Sequence, residues 1–145
     1  MKKIMVAIVG LSIVLLADFS RSSEGIVTDN TTTLQWQDDY SDNGGSVKNT
    51  TWEAAIDYCE ALTLGGHDDW RLPNFNELYS IADHTKRNPA IDTTFQTVVS
   101  RLYWSSTSFV GDENIAWAVG FYRGGGYWGH KDDENYYILC VRDGQ

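Results

Sequence analysis

Three histidines and a pair of adjacent aspartates are the residues whose types could support catalysis or metal binding. Asp68 and Asp69 follow His67 in the stretch GGHDDWRLPN. Paired carboxylates can act as general acid and general base, but consecutive side chains point apart and nothing marks either aspartate as buried with a raised pKa. His67, His84 and His130 lie far apart and lack the spacing of zinc ligands. The sequence therefore predicts no catalytic residues and no zinc site.

Calcium is the metal whose ligands the chain offers most readily, through acidic stretches such as Asp112, Glu113 and Asn114. Calcium binds about six to eight oxygen atoms. The regular spacing of an EF-hand loop is absent, and a solvated acidic loop explains the same residues. No cofactor is therefore expected, with calcium kept as an alternative. An envelope hydrolase or oxidase that uses Asp69 and Asp112 is kept as the alternative to a non-enzymatic function.

A glycine-rich segment near the C-terminus combines aromatic rings with hydrogen-bond donors. Aromatic faces stack on sugars or bury protein side chains, while arginine and histidine donate directed hydrogen bonds. Loops on a rigid scaffold often carry binding residues. The alternative is that Trp128 folds back over a sheet as an aromatic staple. The predicted ligand-binding residues are Tyr122, Arg123, Tyr127, Trp128 and His130.

The N-terminus has the layout of a secretory signal peptide, which we assign to residues 1–22. Two lysines precede an apolar run of fourteen residues, Ile4–Ala17, and a polar stretch follows. That run is shorter than the roughly 20 residues of a membrane-spanning helix, so no span is expected after cleavage. Retention as an uncleaved anchor is the alternative, and residues 23–145 form one domain in either case. The small residues after which cleavage is expected are Ala17, Ser20 and Ser22.

The charge of the chain argues against polyanionic partners. The formal net charge is −9, and residues 1–22 contain three basic residues and one acidic residue, so their removal leaves −11. An acidic surface repels phosphate backbones and anionic lipid. Nucleic acid is therefore not expected as a partner.

Hydrophobic periodicity predicts strands, then two helices, then strands. Residues 25–39 are expected to form a hairpin. Helix one is predicted from a capping box of Thr50 and Glu53 to a glycine stop at Gly65–Gly66, with a buried stripe that includes Cys59. Because helices and strands are segregated along the chain, the fold class is α+β. The expected later strands are residues 102–108, 115–122 and 136–142, joined by a loop at 123–135, and Trp104 and Trp117 are expected in the core.

The stretch WRLPN is predicted to be architectural. Trp70 and Leu72 are expected in the core, while Pro73 starts helix two. Arg71 is expected to anchor a carboxylate or backbone carbonyls, so its loss should cost stability before it costs binding. Asn74 and Glu77 form the predicted capping box of helix two.

Two cysteines, Cys59 and Cys140, lie outside the leader. A pair of cysteines in an exported chain most often forms one disulfide, and two free redox thiols are the alternative.

Several motifs occur together in an order that resembles the Lcl C-terminal domain family. They are GIVTDNTTTLQWQ, WEAAIDYC, LTLGGHDDWRLPN, YWSST, AWAVGF and LCVR, and they run from about Gly25 to Arg142. The resemblance implies a C-type lectin-like fold, related to the formylglycine-generating enzyme group. It has two helices, antiparallel sheets, adjacent N- and C-terminal strands, a long loop region, and a disulfide from the first helix to the last strand. The enzyme group uses a pair of active-site cysteines. Both cysteines of this chain would be occupied by the disulfide, so that activity is not expected here.

The resemblance also implies an exported or surface protein that takes part in adhesion or ligand binding. We therefore expect a secreted, periplasmic or cell-surface module that recognises a glycan or a surface protein. The expected contact regions are the loops around residues 108–114 and 122–136. A structural subunit of a surface assembly, formed by self-association, is a further alternative.

Overall fold

The N-terminal hairpin belongs to a four-stranded antiparallel sheet in the computed structural model, which describes residues 18–144. Its four strands are β1 (Phe19–Arg21), β2 (Ile26–Asp29), β3 (Gln35–Gln37) and β7 (Val141–Arg142). They lie in the order β1-β2-β3-β7, so the C-terminal strand is adjacent to β3 of the N-terminal hairpin, while β1 lies at the opposite edge. Residues 1–17 of the predicted leader lie outside the described residues.

A second antiparallel sheet contains three consecutive strands, β4 (Leu102–Phe109), β5 (Asp112–Gly120) and β6 (Gly125–His130). Two loop predictions are wrong here. Residues 108–114 form the end of a tight β4–β5 hairpin whose turn is only residues 110–111, and the glycine-rich connection at 123–135 contains all of β6. Together, the described residues form two helices and two antiparallel sheets, which confirms the α+β class. The C-type lectin-like assignment stays a prediction.

The glycines of β6 explain why its sequence looked like a loop. Glycine is unfavourable in strands except where another group approaches the backbone closely. A Cβ atom on Gly126 would stand 2.9 Å from Cζ of Phe75, and one on Gly129 would collide with the ring of Tyr136. These glycines therefore admit one aromatic ring on each face of the strand.

The first helix, α1 (Trp52–Ala61), starts and ends differently from the prediction. Its N-cap is Thr51 and carries no side-chain cap bond, so the capping box of Thr50 and Glu53 is wrong. The backbone N–H of Trp52 instead donates to the carbonyl of Lys131. A long-range backbone contact thus replaces the local cap.

The double glycine does not end α1, because the chain is already extended at Leu62. Gly65 and Gly66 both have positive φ, 62° and 74°, in a turn that pairs Leu64 with His67. Positive φ favours glycine. The two glycines form this turn rather than a helix cap.

The second helix, α2 (Phe75–Ser80), begins as predicted. Oδ1 of Asn74 accepts from the N–H of Glu77 at 2.8 Å, and Oε1 of Glu77 accepts from the N–H of Asn74 at 2.9 Å. Leu78 is buried, whereas Tyr79 on the predicted apolar face is exposed. A short 3-10 turn, Ser41–Asn43, precedes both helices.

Arg71 is an anchor for carboxylates, as predicted. Its guanidinium donates to both oxygens of Glu77, at 2.7 and 2.8 Å, and to Asp143 at 2.8 Å. The Arg71 hydrogen bonds are the main cause of the lowered pKa of Glu77. Glu77 therefore both caps α2 and ties it to the C-terminal end. Trp70, Leu72 and Pro73 are buried, which confirms the core placement of Trp70 and Leu72.

The predicted strand at 136–142 is reduced to β7. Tyr137 donates its N–H to Leu102 and accepts from the N–H of Trp104, while Ile138 donates to Lys48. This segment therefore runs between the two sheets and bonds to different partners along its length, instead of pairing with one strand. Trp104 lies in the core as predicted, stacked on Tyr136 with ring centroids 3.9 Å apart.

Cys59 and Cys140 form a disulfide and are both fully buried. The bond joins α1 to the residue before β7, as the resemblance implied. Such a bond indicates an oxidising compartment outside the cytoplasm. Among residues 18–144, no helix is long and apolar enough to cross a membrane.

Removing the disulfide should lower the free energy of unfolding substantially. The bond closes a loop with a sequence separation of 81, and a loop of that length is expected to contribute about 4.5 kcal/mol through the entropy of the unfolded chain. Denaturant titration of Cys59→Ala/Cys140→Ala against the oxidised protein measures this loss. The reduced wild-type chain is the control without a change of side chain. A loss below about 1 kcal/mol in both samples would contradict the expectation.

The Arg71–Glu77 pair should make stability depend on pH. Because the pKa of Glu77 is lowered in the folded state, its contribution is present above its ordinary value of 4.5 and is lost as pH falls through the lowered value. Glu77→Gln should cost about 1–2 kcal/mol at pH 7 and less in acid. Unfolding titrations at pH 7 and pH 3 measure the difference from wild type.

Asp143→Asn is the matched control, because Asp143 binds the same arginine but its side chain is 77% exposed. Its effect should stay below about 0.5 kcal/mol. A Glu77→Gln difference that is the same at both pH values would contradict a charge-based role for this pair.

Candidate ligand-binding surface

Trp128 lies on the outside of the second sheet. It is in β6, pairs with Trp117 of β5, and is 54% exposed. Trp117 is only half-buried, so its predicted place in the core is wrong. The two residues point to the same face of the sheet because directly paired residues do so. Trp128 is therefore not covered by the rest of the fold.

Trp128 is one end of a chain of six neighbouring rings, which we call the aromatic row. Centroids of successive rings are 6.4, 5.3, 5.4, 5.6 and 5.2 Å apart. These spacings fall within the range of aromatic contacts, about 4.5–7 Å. In order, the row contains Trp128, Phe109, Trp117, Phe75, Tyr79 and His84.

The row is most exposed at its two ends. Tyr79 is 41% exposed and His84 is also exposed, whereas the three middle rings are half-buried. His84 is held in place by a ring nitrogen 3.0 Å from the carbonyl oxygen of Gly124. The surface is thus a row of rings that is half-buried along its middle and exposed at each end.

The start of α2 fixes the position of the middle of the row. The N–H of Phe75 donates to Oγ1 of Thr107 at 3.0 Å, and the N–H of Ser106 donates to the carbonyl of Pro73 at 2.7 Å. The first bond joins α2 to β4, and the second joins β4 to the residue just before the helix cap. The WRLPN stretch therefore contributes to the site by positioning the helix that carries Phe75 and Tyr79.

The structure separates the five predicted ligand-binding residues. Tyr122 and Tyr127 pack together beside Gly120, with ring centroids 5.4 Å apart. Because neighbouring residues of a strand point to opposite faces, Tyr127 faces away from Trp128. Burial, and then the hydrogen bond with Tyr127, raises the pKa of Tyr122 to about 12.

Arg123 and His130 occupy different places. Arg123 is exposed in the turn between β5 and β6, and His130 is exposed at the end of β6. Residues two apart on a strand share a face, so His130 lies on the side of Trp128. The structure thus groups Trp128 with His130 and separates both from the two tyrosines.

The other five members of the row were not predicted as site residues. Phe75 and Tyr79 have the spacing of a buried helix face, and Trp117 lies in an apolar strand. The signal in the sequence was an excess of aromatic residues over what a short helix can bury. The helix α2 has only six residues, and two of them carry large rings that lie next to each other on one side.

The acidic residues considered for catalysis or calcium have local partners. Oδ1 of Asp112 accepts from the backbone and side-chain nitrogens of Asn114. Asp69 binds the buried Arg142 at 2.6 Å, and this hydrogen bond lowers its pKa. A carboxylate with a lowered pKa is poorly suited to act as a general acid. Within residues 18–144, no cluster of three or more His, Cys, Asp or Glu is arranged to hold a metal ion.

Comparison with known proteins places the chain in a family. Among curated proteins, none matches the chain. The family model of the Lcl C-terminal domain matches residues 25–142, from the residue before β2 to the end of β7. This match covers most of the chain and includes every element that carries the aromatic row. The protein therefore belongs to the Lcl C-terminal domain family.

Proposed function

We propose that the protein is a secreted or cell-surface binding module that recognises a carbohydrate through the aromatic row. The observation that carries this proposal is the unbroken sequence of five contacts between six rings, with exposed rings at both ends. Aromatic faces bind the apolar faces of sugar rings, while polar groups at the edge take hydrogen bonds from hydroxyls. His84 and His130 supply such groups near opposite ends.

The shape of the row favours an extended ligand. A stable protein interface covers about 800 Å² on each partner around a well-packed core, whereas this row contains six rings, of which the middle three are half-buried. Peptides that bind sheets usually add a strand along an edge. The row instead includes rings from β4, β5, β6 and α2. A polysaccharide chain lying across these elements fits the arrangement better.

The charge of the protein narrows the class of carbohydrate. With a formal net charge of −9, the chain repels polyanions. We therefore propose a neutral polysaccharide rather than a sulfated or phosphorylated one. We propose binding without catalysis and without a cofactor, because Asp69, the residue considered as a general acid, is paired with Arg142. The buried disulfide supports a location outside the cytoplasm.

Loss of either exposed ring should weaken binding without unfolding the protein. Trp128→Ala and Tyr79→Ala should each reduce affinity at least tenfold, because an aromatic side chain that anchors a ligand contributes roughly 2 kcal/mol. A glycan array identifies the ligand, and titration of that glycan with each variant gives the affinity. Both variants should keep the wild-type thermal midpoint. Unchanged affinity in both variants would sink the proposal.

Val110→Ala is the matched control, since Val110 is an apolar residue that is 93% exposed at the β4–β5 turn, outside the row. It should bind as the wild type does. An array that carries surface proteins as well as glycans separates the alternatives when it is probed with the domain in the presence and in the absence of EDTA. Capture of a protein alone would replace the carbohydrate, and loss of binding in EDTA would reinstate calcium.

A second pair of variants distinguishes the row from the residues predicted by sequence. Arg123 lies in the turn and Tyr127 on the opposite face of β6. Arg123→Ala and Tyr127→Ala should therefore leave affinity within about twofold of wild type. If these variants lose binding while Tyr79→Ala does not, the ligand lies on the other face of the strand.

A further inference from the structure

The first described residues are an integral part of the fold. β1 pairs with β2 from Phe19, opposite Asp29, to Arg21, opposite Val27. The ring of Phe19 packs edge-on against Phe95, with centroids 5.5 Å apart. These contacts lie within residues 18–22, the part of the predicted signal peptide that the structure describes. Any cleavage inside this segment would remove native structure.

Arg21 neutralises a buried acid. Its Nε lies 2.7 Å from Oδ2 of Asp38, and its Nη2 donates to the Asp38 carbonyl at 3.0 Å. The Asp38 side chain is 0% exposed and also accepts from Gln96 and Thr97. Among the described residues, Arg21 is the only cation paired with it. Removing one member of a buried pair leaves an uncompensated charge and is strongly destabilising.

Ser22 closes the turn between β1 and β2. Its N–H donates to the carbonyl of Ile26 at 2.9 Å, its Oγ accepts from the N–H of Ile26, and its carbonyl accepts from Gly25. Cleavage after Ser22 would remove all of β1 together with Arg21. Cleavage after Ser20 would remove Phe19 and two of the three residue pairs between β1 and β2.

We propose that the exported chain is cut by a signal peptidase between Ala17 and Asp18. Ala17, which lies outside the described residues, is the small residue that ends the apolar run, and cleavage there keeps every contact of β1. Water hydrolyses the amide bond: the Ala17 carbonyl gains a hydroxyl, and the Asp18 nitrogen becomes a free amine that takes up a proton. The proposal rests on the export that forms part of the proposed function.

The surroundings of Asp18 suit a new N-terminus. An open cavity of about 430 Å³ is lined by Asp18, His84, Asp83 and Asp92, among other residues. The α-ammonium of Asp18 would carry a positive charge at the edge of this acidic cavity. Lys86 already neutralises part of that charge, at 3.5 Å from Asp83 and 3.9 Å from Asp92. The cleavage product therefore places a cation where carboxylates outnumber bases.

The N-terminal residue of the exported protein tests the proposal. Full-length chain is expressed in a secreting bacterial host, and intact mass with N-terminal sequencing is measured on the exported fraction. A product that begins at Asp18 is expected. A product that begins at Arg21 or Ser23, or that keeps Met1, would overturn the proposal. Glycan binding by the folded domain is measured separately, so failure here is distinguishable from failure of the proposed binding function.

Two comparisons test why the chain is cut at this position. Ala17→Tyr should accumulate precursor, whereas Ser20→Tyr, at an exposed position, should be processed like the wild type. Purified chains that start at Asp18 and at Ser23 should differ clearly in thermal midpoint, with the longer chain the more stable. Equal midpoints would show that β1 and Arg21 do not constrain the cut, and would overturn the argument.

Discussion

The structure depends on a C-terminal segment that must bond to both sheets at once. Residues 136–142 donate to and accept from Leu102 and Trp104 on one side. On the other side, β7 pairs with β3 of the first sheet, Val141 opposite Trp36. Val141 also exchanges two backbone hydrogen bonds of 2.8 Å with Arg71, which lies outside both sheets. The disulfide to Cys59 fixes α1 to the same segment. Seven residues that bond to several different parts of the fold cannot pair along their whole length with a single strand. The regular strand β7 is therefore only two residues long.

Local signals in the sequence were sufficient where local contacts decide the structure. The hairpin of β2 and β3, the capping box of α2 and the pairing of Cys59 with Cys140 all follow from residues that act on near neighbours or from cysteine chemistry. The start of α1 could not be predicted in this way. Thr50 and Glu53 have the right types for a cap, but the N–H of Trp52 donates to the carbonyl of Lys131, which is distant in sequence.

The candidate site was predictable only in part for the same reason. Trp128 stands out because a tryptophan among glycines has few neighbours to bury it. Its partners in the row come from β4, β5 and α2, and their approach is set by the packing of α2 on the sheet. Phe75 and Trp117 have ordinary core spacing, so periodicity assigned them to the interior. A sequence pattern shows which residues are apolar, but it does not show whether other helices or strands cover them in the fold.

The glycines of β6 have a consequence for how relatives of this protein can diverge. Gly126 and Gly129 fix the strand through the close approach of rings from other elements, so its packing depends on the backbone rather than on its own side chains. The side chains of Trp128 and His130 are exposed and take no part in that close packing. Substitutions at these two positions should therefore leave the scaffold intact. Under the binding function proposed above, a change of ligand preference at these positions needs no compensating change in the core.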